Sequence, residues 1–200
     1  MELQHVNVKL FVKDAENVDL QAVVPVFHSW IQNQGQDELL LDVADYRHVS
    51  SGPGVILIGH HGNYSLDNTG GRLGVRYNRK TELEGTNQDR LVQATHAALQ
   101  ACRRLETEPS LNGRIKFDGR EIEVFINDRL LSPNTPETRA LAEPEFRSFF
   151  LALLGSNESA ISYPQDPRSL FSVRVRTRQT FETAALLDNL NSVAAAFSRD

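Results

Sequence analysis

The sequence predicts an α+β protein: a largely antiparallel sheet, with room for a mixed pairing, of about eight or nine strands carrying about four helices. Three observations lead there. Apolar residues recur every second position in several short stretches and every third or fourth in others. The strand-like stretches follow one another over short connections, which favours antiparallel neighbours. The opening order, strand–helix–strand–strand, is that of a ferredoxin-like start.

Residues 6–12 alternate, with Val6, Val8, Leu10 and Val12 on one face of a half-buried strand. A helix follows between Asp14 and Gln34. Asn17 or Asp19 can cap it, and Leu20, Val23, Val24, Phe27 and Ile31 form its apolar stripe. Pro25 should kink it or delay its start, and Gly35 is placed to end it. The near-continuous apolar run of 39–44 reads as a strand buried on both faces. A turn at Ser50–Gly54 leads to a third strand, Val55–Ile58. Tyr64–Asp67 and Arg72–Asn78 form a hairpin around Asn68-Thr69-Gly70-Gly71.

Asn87–Glu106 is the clearest helix, with Leu91, Thr95, Ala98, Leu99, Cys102 and Leu105 on its apolar face. Asp118-Gly119 predicts a two-residue hairpin that sets Lys116 opposite Glu121 and Ile115 opposite Ile122. Thr135 and Pro136 open another helix, in which Pro144 marks a break and Gly155 the end. Its apolar residues are Leu141, Phe146, Phe149, Phe150, Leu153 and Leu154. Strands at 159–163 and 170–178 precede a final helix near 181–197, which carries Leu186, Leu187, Leu190, Val193, Ala194 and Phe197.

The 200 residues are 40% hydrophobic and 24% charged, an ordinary globular balance. A chain of this length buries about 70% of its unfolded surface, so it needs no metal or crosslink to hold a core. A single domain over 1–200 is expected, with two halves of similar pattern, about 1–85 and 110–200, joined by the helix 87–106. One cysteine, Cys102, excludes an internal disulfide framework. No apolar run reaches the roughly 20 residues of a membrane helix. The polar start Met1–His5 runs straight into a strand pattern rather than a signal peptide. The expectation is a soluble, cytoplasmic protein without a membrane partner. A net charge of −5 argues against a general nucleic-acid binder. Among 21 basic residues only Lys9, Lys13, Lys80 and Lys116 are lysines, and arginine's planar fork suits carboxylate or phosphate.

The densest polar cluster comprises Asp42, Asp45, Tyr46, Arg47, His48, His60, His61, Asn63, Tyr64 and Asp67. If 39–44 and 55–60 are neighbouring strands, His48 and the His60-His61 pair could meet at one sheet edge. His60 and His61 point to opposite faces, so at most one would join a site. Imidazoles with a carboxylate suit a transition metal, but the spacing matches no metal motif, and no metal is assigned. Gly52-Pro53-Gly54 precedes a strand and lacks the following Lys-Ser/Thr of a phosphate loop. No Gly-x-Ser-x-Gly elbow is present. Cys102 lies on an apolar helix face, where a thiol is inert. His28, beside Trp30, is either a general base or a packed histidine.

A second candidate, Asn127, Asp128, Arg129 and Asn134, sits at a strand-to-helix junction that can hold an anion. Turn and capping chemistry explains the same residues. Arg174, Arg176 and Arg178 share a strand face, available to phosphates or to pairing with Glu121 and Glu123.

Three functions remain open. The foremost is a non-enzymatic binding or self-associating protein, a homo-oligomer with exposed strand edges. The second is a small-ligand binder whose pocket is lined by Trp30, Tyr46, Tyr64 and Tyr77 with Arg47, His60 and Arg76. The third is an enzyme using His48, His60 or His61 with Asp42, Asp45 or Asp67. No motif identifies a cofactor.

Overall fold

A computed structural model describes residues 1–34, 38–155 and 159–197, with side chains described through Ala194. Eight strands form one open antiparallel sheet in the order β2-β3-β4-β5-β1-β6-β8-β7. The strands are β1 (Val6–Lys13), β2 (Leu40–Tyr46), β3 (Gly54–Gly59), β4 (Gly62–Asp67), β5 (Gly74–Arg79), β6 (Lys116–Ile126), β7 (Ala160–Ser162) and β8 (Phe171–Arg176). Four helices, α1 (Val23–Gln32), α2 (Asn87–Thr107), α3 (Pro136–Leu154) and α4 (Thr183–Phe197), complete the α+β architecture. Among the described residues no helix is long and apolar enough to cross a membrane.

The alternation of β1 decides where the core lies. Val6, Val8, Leu10 and Val12 face the helices and join one apolar cluster with Leu57, Leu66, Val75, Val124 and Val173 from the other strands. Phe27, Leu91, Leu99, Phe146, Phe149 and Leu190 descend on it from the four helices. Asn7, Lys9 and Phe11 point to the opposite face, which no helix of the described residues covers.

The two halves enter the sheet in the same way. A first strand (β1 or β6) is followed by a helix that crosses to an edge strand (β2 or β7). A meander then returns to the first strand's side, and a second helix follows. β6-β8-β7 reproduces the split β-α-β-β order. In the first half the meander has four strands, so β5 rather than β3 lies beside β1, a widened version of the ferredoxin-like start. β1 and β6 pair antiparallel where the halves meet.

Several local expectations are met. Asp19 caps the short turn before α1, accepting the Gln21 N–H at 2.8 Å. Pro25 falls in the first turn of α1, where its missing N–H breaks no helical bond, so the helix starts late rather than kinking. Thr86 and Asp89 form a reciprocal capping box on α2, and Thr135 caps α3. The Gly35 stop lies outside the described residues, and so does the Phe197 side chain.

Other expectations are corrected. Asp118-Gly119 is no hairpin, because β6 runs unbroken through it and pairs with β1 on both sides. The register slips between Leu10 and Phe11, so Gly119–Glu121 form a bulge. Gly119 serves a close approach: a Cβ there would lie 2.1 Å from the Phe181 carbonyl oxygen. β2 is not buried on both faces. It is an edge strand, with Leu39 and Leu41 about half exposed. Pro144 interrupts nothing, since α3 continues through it, and Leu141 faces solvent. His28 is exposed while its neighbour Trp30 is buried.

Candidate functional site

The histidine and carboxylate cluster is divided by the geometry of the β2–β3 hairpin. Tyr46 pairs with Gly54 at one end and Leu40 with Gly59 at the other. His48 therefore lies beyond the first end, and His60 and His61 turn at the second. The six residues of β3 separate them, a span of roughly 20 Å. At the first end Arg47 grips Asp45 at 2.7–3.0 Å, and these bonds hold the Asp45 carboxyl down at about 2. Tyr46 stacks on His48 with ring centroids 6.3 Å apart. At the second end the His61 N–H donates to Glu38 at 2.8 Å, and the His60 N–H donates to the Leu39 carbonyl. Asp42, mid-strand, accepts the Val43 N–H. Tyr64 points into the core against Tyr77. Among the described residues no three His, Cys, Asp or Glu side chains converge as metal ligands.

The second candidate set behaves as turn and cap. Asp128 accepts the N–H groups of Leu130 and Leu131, and the Asn127 N–H donates to the His5 carbonyl. Arg129 is exposed. Asn134 is buried, donating to the Asp166 carbonyl and accepting from Arg139. Burial pushes the Cys102 thiol well up, as an inert cysteine requires.

Of the cluster, Asp67 belongs to a different assembly, on the helix-free face of the sheet. Directly paired residues on neighbouring strands point the same way. The register places Asp67 (β4), Arg76 (β5), Lys9 (β1), Glu121 and Glu123 (β6), and Arg174 and Arg176 (β8) together on this face. Lys9 and Asp67 form a buried pair at 2.9 Å, each side chain 3% exposed. Asp67 also accepts the Thr69 N–H at 2.6 Å and lies 3.6 Å from Arg76. Desolvation lowers the Lys9 pKa, and Asp67 only partly opposes it. Glu121 meets Arg72, Arg174 and Arg176 at 2.6–3.2 Å, and Glu123 meets Arg174 at 3.2 Å. Burial pushes the Glu121 carboxyl up, but the bonds from Arg72 and Arg176 outweigh it and leave its pKa below the usual value.

Two phenyl rings share the face, and a guanidinium covers each. Arg72 lies 3.7 Å from the Phe11 centroid, and Arg76 lies 4.6 Å from that of Phe125. Arg76 on β5 reaches Phe125 on β6 across β1, so its side chain roofs the middle strand. On the same face Asn7, Asn78 and Asn63 stand in a row on three adjacent strands. Asn7 is fully buried, yet neither its amide nitrogen nor its oxygen has a hydrogen-bond partner, and the Asn78 and Asn63 oxygens lack one too. Such atoms cost about 1–3 kcal/mol each when left unpaired.

The pairing of Glu121 and Glu123 with Arg174 and Arg176 is legible in the sequence, because both strands alternate charge at a spacing of two. Lys9, Arg72 and the asparagine row give no such signal, since their meeting depends on β5 and β6 flanking β1. Comparison with known proteins adds no further assignment: no protein-family model matches the chain, and no curated protein matches it.

Proposed function

We propose that this is a non-enzymatic binding protein that holds an acidic protein partner on the helix-free face of its sheet. The observation that carries this reading is the sign of that face. Lys9, Arg72, Arg76, Arg174 and Arg176 stand against Asp67, Glu121 and Glu123, a basic excess on a chain whose net charge is −5. At the strand ends Lys13 and Lys116 stand opposed beside one further carboxylate, Asp118, so the excess remains. Arg72, Arg174 and Arg176 keep 38–61% of their side chains exposed, so their remaining donors are available to carboxylates. The arrangement favours an acidic protein over single-stranded nucleic acid, because both phenyl faces that could stack a base already carry an arginine.

The test is fluorescence anisotropy with labelled poly-L-glutamate and, separately, oligo-dT, at low and high salt. Poly-glutamate should bind and weaken with salt, and Arg72→Gln/Arg176→Gln should weaken it while keeping the far-ultraviolet circular dichroism of the folded parent, at a thermal midpoint lowered by the two lost Glu121 pairings. No binding at low salt, equal binding by the variant, or tighter binding of oligo-dT would each overturn the proposal.

A second reading, self-association in a homo-oligomer, rests on the β2 edge. Leu39, Leu41, Tyr46 and Val49 are 43–53% exposed in and beside β2, which among the described residues has no strand partner on its outer side. Light scattering should then give a multiple of the chain mass that Leu41→Lys reduces. A monomer at high concentration would refute this second reading. The lone buried thiol suits a reducing cytoplasm, the location this proposal assigns.

A further inference from the structure

A cleft of about 80 Å³ opens on the helical side of the sheet between α1, α2 and β2–β4. It exists because α2 presents Ala97 and Ala101, one turn apart, above Leu40 and Leu57, and two methyl groups do not fill the space between helix and strands. Trp30, Glu38, Tyr64, Gln100 and Arg104 complete the lining.

Arg104 and Glu38 both line this cleft, but no ion pair joins them. The Arg104 guanidinium lies over the Trp30 ring, 3.7 Å from its centroid, and desolvation lowers its pKa. Among the described residues two carboxylates lie nearby, and each accepts hydrogen bonds elsewhere. Glu38 accepts the His61 N–H at 2.8 Å, and Glu108 accepts both the Ser110 N–H and its hydroxyl. Among the described residues no carboxylate comes within 4.0 Å of Arg104, whereas the arginines of the helix-free face each meet one. A guanidinium held flat by an indole keeps its edge donors free and oriented, which is how arginine recognises carboxylate.

The geometry points to a binding site for a small monocarboxylate. Its apolar body fills the gap over Leu57 beneath Ala97 and Ala101, and its carboxylate meets the edge of Arg104, with the Gln100 amide at the rim. The site is independent of the helix-free face and lies on the other side of the sheet.

Trp30 is the chain's one tryptophan, so its emission reports on the cleft directly. The experiment titrates the full-length protein with isovalerate, using 3-methylbutanol as the neutral match and 3-methylbutylamine as the cation. Isovalerate should change Trp30 emission saturably in the millimolar range or below, while the alcohol and the amine leave it unchanged. Arg104→Met should weaken binding at least about tenfold, the loss of a charged hydrogen-bond partner. Arg104→Lys should bind with intermediate strength. Ala97→Leu should fill the cleft and abolish binding without lowering the thermal midpoint, which keeps the test open if Arg104→Met folds poorly. Arg72→Gln/Arg176→Gln should bind isovalerate like the parent. Absence of saturable change, an equal response to the alcohol or amine, or undiminished binding in Ala97→Leu would overturn the proposal.

Discussion

Replacing Asp67 with alanine should cost more than any other single change on the helix-free face. The Lys9 ammonium lies 2.9 Å from Asp67 with both side chains almost wholly buried. With an effective dielectric of about 20, that separation corresponds to about 6 kcal/mol of attraction. Arg76, at 3.6 Å, adds about 5 kcal/mol, which its repulsion of Lys9 reduces. Alanine removes both attractions and leaves Lys9 buried beside Arg76, with the weaker pull of Glu123, itself paired with Arg174. Water entry and side-chain relaxation offset part of this, so the expected loss is about 3–5 kcal/mol, the usual result of breaking a buried pair from one side. With a urea slope of about 2–3 kcal/mol/M, the unfolding midpoint falls by roughly 1.5 M. The assay is urea denaturation followed by far-ultraviolet circular dichroism and by Trp30 emission. Lys9→Met/Asp67→Leu, which removes both charges, should unfold within about 1.5 kcal/mol of the parent, because the penalty lies in the unpaired ion and not in the missing attraction. A midpoint shift below about 0.3 M for Asp67→Ala would show that Lys9 is hydrated, and the electrostatic account of this face would fail.

Three more outcomes are expected. Gly119→Ala drives a methyl group into the Phe181 carbonyl oxygen and should cost about 3 kcal/mol in the same denaturation assay, with a loss near zero refuting the close approach. Thr86→Ala removes one arm of the α2 capping box and should cost about 1 kcal/mol, with faster amide exchange confined to the first turn of the helix. Glu121 has a folded pKa below its usual value, so its contribution is complete above the unfolded pKa of about 4.3 and disappears as the pH falls through the folded value. Glu121→Gln should therefore show a shallower loss of thermal midpoint than the parent on acidification below pH of about 4, and identical acid limbs would contradict the pairing with Arg72 and Arg176.

The parts of the molecule that can be read from sequence are those decided by near neighbours along the chain. The alternation of Val6, Val8, Leu10 and Val12 and the apolar stripe of Leu91 to Leu105 depend on one element each, and the structure has both. What escapes is what another element decides. Leu39-Leu40-Leu41 is equally apolar in a central strand or at an edge, and only the strand order exposes it. Asp118-Gly119 has the residues of a tight turn, but the Phe181 backbone takes the space beside Gly119 and β1 pairs past the bulge. The histidine cluster fails for a topological reason. An antiparallel hairpin brings together residues equally distant from its turn, so His48 and His60 flank the whole length of β3 and stand apart, though few residues separate them in sequence. Arg104 gives no sign in the sequence, because its value lies in which carboxylates are occupied elsewhere.

The seam between β1 and β6 has a consequence for how the chain is made. β1 lies in the middle of the sheet, and its second neighbour arrives only with residues 116–126, more than a hundred residues after it. Until then one edge of a strand apolar on its helical side stands bare, and in a crowded solution the β6 half of another molecule fits it as well as its own. Two copies could trade halves only if the connection from Thr107 to Lys116, in which Leu111 and Ile115 are buried, opened first. Because β6 fits that bare edge, the gene could be cut there, and the two pieces, expressed apart, would recognise each other.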